Sequence, residues 1–128
     1  IDTLAYEKVH FIAHSAGSWL VDFASRQLDD DVFVTTTFLD AYTPNQHGAD
    51  SLGEKSDWAE HYFSNRDLPD TDANLAQAFN IDISMLDPDV LFAVSNGTTI
   101  GLIDGHQWPH QWYRQTAADP LVLICTEI

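Results

Sequence analysis

Apolar residues form two different patterns near the start of the chain, first a short run and then a helical spacing. The short apolar run at residues 9–12 is typical of a buried strand. Further on, apolar side chains recur every three or four residues, at Ala16, Trp19, Leu20, Phe23, Ala24 and Leu28. This spacing predicts one buried face of a helix, and Asp22, Ser25 and Arg26 lie off that face. We therefore predict a strand followed by a helix that packs through its apolar side.

A second strand is predicted at residues 32–39. This run is rich in Val, Phe and Thr and has no polar alternation apart from its threonines, as in a buried parallel strand. Strand, helix and strand together form a βαβ unit with a right-handed crossover. Alternation at residues 78–83 predicts another strand. No linker or internal repeat divides the chain, so residues 1–128 are predicted to form one α/β domain.

The remaining segments have less regular patterns. Residues 45–57 are polar and contain Gly, which predicts a surface loop, whereas the aromatic segment 58–63 fits no single element type. Residues 91–103 are compatible with a hairpin or a loop. Residues 105–113 predict a loop that enters a helix, and residues 121–125 predict a short terminal strand.

The turn between the first strand and the helix has the pattern of a nucleophile elbow. Ala13-His14-Ser15-Ala16-Gly17 fits A-x-S-x-G, in which a serine stands on a tight strand-to-helix turn and small residues flank it at two positions on either side. Larger residues at those two positions would collide as the strand and the helix close on each other. An alternative interpretation is that Ser15 merely caps the N-terminus of the helix.

A serine hydroxyl needs a neighbouring imidazole to take its proton, and the imidazole needs a carboxylate to fix its tautomer. Asp40 is the first residue after the predicted second strand, and working residues of open α/β sheets gather at the carboxyl ends of strands. Asp82 and Asp87 are rival acids, and Asp40 could instead be a turn-initiating residue. Serine, acid and histidine are thus available in the order Ser, Asp, His.

These motifs resemble those of an α/β-hydrolase of the lipase group, including the pancreatic-lipase-like family. Residues 14–17 are similar to the lipase elbow, and Leu39-Asp40 resembles the strand end that carries the acid of that family. His106, seven residues before Tyr113, resembles the segment that carries its catalytic histidine. The resemblance covers most of residues 8–116. It implies a doubly wound, mostly parallel sheet and a serine hydrolase that cleaves carboxylic esters without a cofactor.

The chain departs from the family pattern in three respects. Ala13 replaces the first elbow glycine, the disulfides of the family are absent, and the stretch between acid and histidine is shorter. The chain also opens at Ile1 with only a few residues before the elbow strand. We therefore expect the second half of a larger domain, incomplete at its N-terminus, and one oxyanion donor from an upstream loop. By this expectation the fragment alone can be inactive.

Six histidines compete for the role of base. His10 and His14 belong to the elbow strand, where a structural role is expected, and His47 and His61 precede the expected position. His106 is preferred over His110 because it follows Gly105 in a loop and begins the family-like segment.

The same resemblance suggests further site residues. The backbone N–H of Ala16, at the start of the helix, is expected to stabilise the oxyanion because the helix dipole favours negative charge there. His14, Tyr42 and Trp108 are expected to contact the substrate, a small-molecule or lipid ester. The alternative is a non-catalytic α/β domain that binds a partner or ligand and uses the elbow only as a tight turn.

Charge excludes two classes of partner. The chain has 20 Asp plus Glu against 5 Lys plus Arg, a net charge of -15. Nucleic acids and anionic membranes require a basic surface, so neither is an expected partner. No apolar run is long enough for membrane insertion. Secretion is compatible with the sequence if a signal peptide lies upstream.

No metal site is predicted. Asp67, Asp70 and Asp72 lie close together around Pro69, but they lack the EF-hand pattern, and a solvated acidic loop is the preferred interpretation over calcium binding. The histidines and the single cysteine, Cys125, lack the usual zinc-ligand spacings.

Overall fold

A computed structural model describes residues 6–65, 70–87 and 105–118. Within these ranges, four strands follow each other: β1 (Lys8–His14), β2 (Phe33–Leu39), β3 (Trp58–Phe63) and β4 (Phe79–Asp82). The α-helices that the structure describes are α1 (Gly17–Ser25) and α2 (Trp108–Ala118), and the segment Gly105–Gln107 before α2 is a single 3₁₀ turn. The elements predicted at residues 91–103 and 121–125 lie outside the described residues.

The four strands form one parallel sheet in the order β1-β2-β3-β4. The α/β class, the strands predicted at residues 9–12, 32–39 and 78–83, and the parallel pairing of the first two are confirmed. Register matters for the site, because His14 at the end of β1 pairs with Leu39 at the end of β2, and Leu39 pairs with Tyr62 of β3. The carboxyl ends of three strands therefore meet at one edge.

The two helices lie on opposite faces of this sheet. Phe38 and Ala59 point to one face, where they form the core with the fully buried Ala41, Leu52 and Leu75 and with side chains of α1. Tyr62 alternates to the other face, where its ring lies 4.9 Å from that of Trp112 in α2. Leu52 comes from the predicted surface loop at 45–57, so this irregular segment also contributes to the core.

Helix α1 is present, but the prediction of its buried face is wrong. Leu20 and Phe23 are 70% and 63% exposed, whereas Ser18, Asp22 and Ser25 are buried. Leu28 lies beyond the end of the helix. The apolar spacing of the sequence therefore describes a stripe that faces outward.

Hydrogen bonds of Asp22 explain this orientation. One carboxylate oxygen accepts the N–H of Gly53 at 3.1 Å, and the other accepts Arg26 Nε at 3.0 Å. Arg26 also donates to Glu54 Oε2 and to the carbonyl of Ser51. A buried polar group is costly unless it is hydrogen-bonded, and these partners remove that cost. They tie the polar side of α1 to the loop before β3.

Candidate active site

Ser15 occupies a strained turn between β1 and α1. Its φ is +54°, in the left-handed region that non-glycine residues seldom adopt. The helix begins at Gly17, its N-cap is Ala16, and no side chain caps it. The alternative interpretation of Ser15 as a helix cap is therefore wrong. Such strain costs about 1–3 kcal/mol and persists where the surroundings hold it, often at functional sites.

The surroundings of Ser15 hold its backbone on both sides. Its N–H donates to the carbonyl of Leu39 at 3.0 Å, and its carbonyl accepts the N–H of Tyr42 at 3.2 Å. The small flanking residues have the expected positions, since Ala13 is buried and a methyl group at Gly17 would lie 3.8 Å from the Cβ of Ala13. A methyl at Gly17 would thus make ordinary contact, and only a larger side chain would collide.

Asp40 turns the chain at the end of β2 in the same way. Its φ is +52°, its N–H donates to the carbonyl of Tyr62 at 2.8 Å, and its side chain is completely buried. Oδ1 accepts the N–H of Ser64 at 3.0 Å. Because His14 and Leu39 are in register, Ser15 and Asp40 are the next residues of neighbouring strands. They leave the sheet side by side at its carboxyl edge.

His106 meets Asp40 from a segment 66 residues further along the chain. Its Nδ1 lies 2.6 Å from Asp40 Oδ2. A carboxylate can only accept here, so the Nδ1–H of His106 is the donor and Nε2 carries the lone pair. The carbonyl of His106 in turn accepts His14 Nε2 at 2.8 Å, and the two rings lie 4.6 Å apart. His14, the residue before Ser15, thereby links the segment that contains His106 to the turn at Ser15.

Ser15 follows β1 at the same sheet edge, beside the strand end that carries Asp40. Its hydroxyl makes no hydrogen bond to any residue in the described part of the chain, including His106. Catalytic hydrogen bonds are often long before substrate binds and shorten only in the complex. The N–H of Ala16 lies at the start of α1, next to Ser15. It also donates to no acceptor within the described ranges, so it can donate a hydrogen bond to an oxyanion.

The rival acids and the second histidine make contacts other than the one between Asp40 and His106. Asp82, at the end of β4, is exposed and accepts Asn65 Nδ2 at 2.7 Å and the N–H of Ser84 at 2.9 Å. Asp87 is buried in the segment after β4, where its N–H donates to the carbonyl of Ser84. His110 is exposed on α2, with its ring 5.7 Å from that of His14.

The three residues predicted to contact the substrate have different surroundings. His14 is half-buried against His106, as described above. Tyr42 is 37% exposed beside the elbow. Trp108 is only 5% exposed, and its Nε1 donates to the carbonyl of Ile83 at 3.0 Å, which anchors the start of α2 to the end of β4. Contact of these side chains with a substrate stays a prediction.

Two residues that support the site were not predicted from the sequence. Ser64 supplies the N–H that holds Asp40 Oδ1. Trp19 packs against the core as expected, and in addition its Nε1 donates to the carbonyl of Tyr42 at 2.8 Å and its ring stacks on His47 at 5.2 Å. An added methyl at Gly48 would lie only 2.6 Å from the ring of Trp19. Trp19 thereby fixes the loop that follows Asp40, through long-range contacts that leave no local pattern.

Burial shifts the pKa of two neighbouring side chains on β3. It lowers the pKa of His61 to about 4, against a smaller opposing effect of the hydrogen bond that His61 makes to Asn80. It raises the pKa of Tyr62 to about 12, and the nearby Glu60 carboxylate adds to this rise. Both groups are therefore neutral at pH 7.

The described residues contain no group of three or more His, Cys, Asp or Glu side chains arranged to hold a metal ion. Neither helix described in the structure is long and apolar enough to cross a membrane. Comparison of the chain with protein-family models, with curated proteins and with solved structures found no match.

Proposed function

We propose that the protein is a serine hydrolase that cleaves carboxylic esters, with Ser15 as nucleophile, His106 as base and Asp40 as acid. The observation that carries this proposal is the 2.6 Å contact between Asp40 Oδ2 and His106 Nδ1. It lies at the sheet edge where Ser15 turns out of β1 with a φ of +54°. A buried acid, a tautomer-fixed imidazole and a strained serine at one strand edge are the parts that acyl transfer requires.

The reaction proceeds in two steps. In the first, His106 Nε2 takes the proton of Ser15 Oγ as this oxygen attacks the ester carbonyl, and the N–H of Ala16 stabilises the oxyanion. The C–O bond to the alcohol breaks, and His106 returns the proton to the leaving oxygen. In the second, water attacks the acyl-enzyme with His106 again as base. The carboxylic acid leaves, and Ser15 Oγ recovers its proton.

The arrangement of the chain also supports an α/β-hydrolase architecture. A parallel sheet with a helix on each face is the core of a doubly wound fold. Tyr42 is the partly exposed aromatic residue beside Ser15, which suits an apolar acyl group or a lipid ester. The acidic surface agrees with an uncharged rather than an anionic substrate.

Ester turnover tests this proposal directly. We expect the full-length protein to hydrolyse p-nitrophenyl acetate and p-nitrophenyl octanoate, with a burst of p-nitrophenol equal to the protein concentration if deacylation is the slower step. Faster acylation by the octanoate ester would support an apolar acyl site.

Six histidines hydrolyse activated esters slowly without any site, so the urea-unfolded chain is the control. Turnover of both esters that does not exceed this background would contradict the proposal. The elbow would then be only a tight turn.

A further inference from the structure

His61 is a buried imidazole next to the candidate site, and the reaction described above does not use it. It lies in the middle of β3 with no exposed surface. Nε2 accepts the backbone N–H of Ala41 at 3.1 Å. Nδ1 lies 3.1 Å from Asn80 Oδ1. Because the N–H of Ala41 can only donate, Nε2 is unprotonated and His61 is the neutral Nδ1–H tautomer.

Asn80 fixes that tautomer from the next strand. Its Nδ2 donates to the carbonyls of Leu75 and Ala78, both at 2.9 Å, and its Oδ1 accepts the N–H of Leu75 at 2.8 Å. These bonds determine which end of the amide faces His61. Oδ1 is therefore an acceptor for the Nδ1–H of His61, and the ring cannot turn over without losing both of its bonds.

The bond to Ala41 acts on the backbone that carries Asp40. The peptide unit between Asp40 and Ala41 follows a residue with a φ of +52°, and a bond to its N–H helps to hold the turn that carries the Asp40 side chain. Backbone groups of β3 and of the segment after it also hold Asp40, through its bonds to Tyr62 and Ser64. The bond from His61 to this turn comes from a side chain, so it can be removed by substitution.

We infer that His61 is a positioning residue that orients Asp40 toward His106 by holding the N–H of Ala41. This inference rests on the proposed function for its catalytic consequence. Its structural part, the geometry of the Asp40–His106 hydrogen bond, is independent of any activity. Burial, which lowers the pKa of His61, keeps the ring neutral and Nε2 able to accept throughout the neutral pH range.

Two conservative substitutions separate the two bonds of His61. The carbonyl oxygen of glutamine can reach the position of Nε2, so His61→Gln can still accept the N–H of Ala41. The amide nitrogen of asparagine falls near Nδ1, so His61→Asn can still donate to Asn80 but leaves Ala41 without its acceptor. Leu52→Ala, in the same core and with a side chain that cannot hydrogen-bond to the Asp40 turn, is the control for lost stability alone.

We expect His61→Asn to lower kcat about 10- to 100-fold for p-nitrophenyl acetate with KM unchanged, since small misplacements of catalytic groups have effects of this size. His61→Gln should stay within about threefold of wild type, and Leu52→Ala should keep its kcat below its unfolding temperature. In proton NMR, the downfield Nδ1–H resonance of His106, identified by its absence in His106→Gln, should be shifted or lost in His61→Asn and retained in the other two variants.

The inference would be overturned if His61→Gln lost more kcat than His61→Asn. A folded His61→Asn protein with the wild-type resonance and kcat would overturn it as well. If His61→Asn does not fold, His61→Gln still decides, because a folded His61→Gln protein without the resonance contradicts it. A wild-type protein without ester turnover would refute the proposed function alone. The resonance would then still show whether His61 positions Asp40.

Discussion

Replacing Ser15 with alanine is expected to lower ester turnover by about four to six orders of magnitude, because it removes the oxygen that attacks the acyl carbon. The fold should be unaffected. Alanine and serine have the same Cβ at a φ of +54°, so the backbone strain is unchanged, and the hydroxyl makes no hydrogen bond within the described residues. Steady-state hydrolysis of p-nitrophenyl acetate, with thermal unfolding as the check on folding, measures both parts.

His106→Ala should cause a loss of similar size, since the serine and its base act as one unit. The double variant should then be little worse than either single variant. His110→Ala, which changes an exposed imidazole on α2, is the matched control and should stay close to wild type. More than about a tenth of the turnover left in Ser15→Ala, or additive losses in the double variant, would mean that another residue is the nucleophile.

Asp40→Asn is expected to lower turnover by about four orders of magnitude while the protein stays folded. The reason is tautomer control. Asp40 Oδ2 accepts the Nδ1–H of His106 at 2.6 Å, and an amide nitrogen in its place would favour the other tautomer, in which Nε2 cannot act as base. Asparagine is among the residues that best tolerate a positive φ, so the turn at Asp40 is preserved.

The comparison with Asp82→Asn and Asp87→Asn makes this prediction specific. All three variants lose one negative charge, so a general effect of charge would appear in each of them. We expect near-wild-type turnover from the two controls when they are assayed beside Asp40→Asn. An unimpaired Asp40→Asn enzyme together with an inactive Asp87→Asn enzyme would transfer the role of acid to the later segment.

Short-range sequence patterns correctly predicted the two strands that lead to Ser15 and Asp40. The apolar run before Ser15 and the β-branched run before Asp40 are strands, and they pair in parallel. Once those strands are known, Ser15 and Asp40 fall at one sheet edge because both directly follow a strand end. The contact between Asp40 and His106 could be anticipated only from the order of the residues along the chain and from a family resemblance.

The errors arose where tertiary contacts override a local pattern. The apolar spacing of α1 indicated Leu20 and Phe23 as buried. Asp22 is buried instead, because it accepts hydrogen bonds from Gly53 and Arg26, and the polar side of the helix therefore faces inward. No periodicity of the helix itself contains that information.

Strand β3 was missed for a related reason. Its large side chains alternate between two faces, with His61 and Phe63 on one and Trp58 and Tyr62 on the other, so no apolar–polar alternation is visible. Without β3, neither the bond from His61 nor the one from Ser64 to the Asp40 turn could be predicted. Both are long-range contacts that β3 and the residue after it make with the turn at the end of β2.

Covalent labelling with a fluorophosphonate, followed by mass spectrometry of the peptides, tests the central claim most directly, because this reagent reacts only with an activated serine. We expect one label per chain, on the peptide that contains Ser15, and no label in Ser15→Ala or in the urea-unfolded protein. Ser18, buried in α1 on the same stretch of chain, should stay unmodified. A folded protein that takes up no label, or a label on a serine other than Ser15, would contradict the assignment of a serine hydrolase site to this sheet edge.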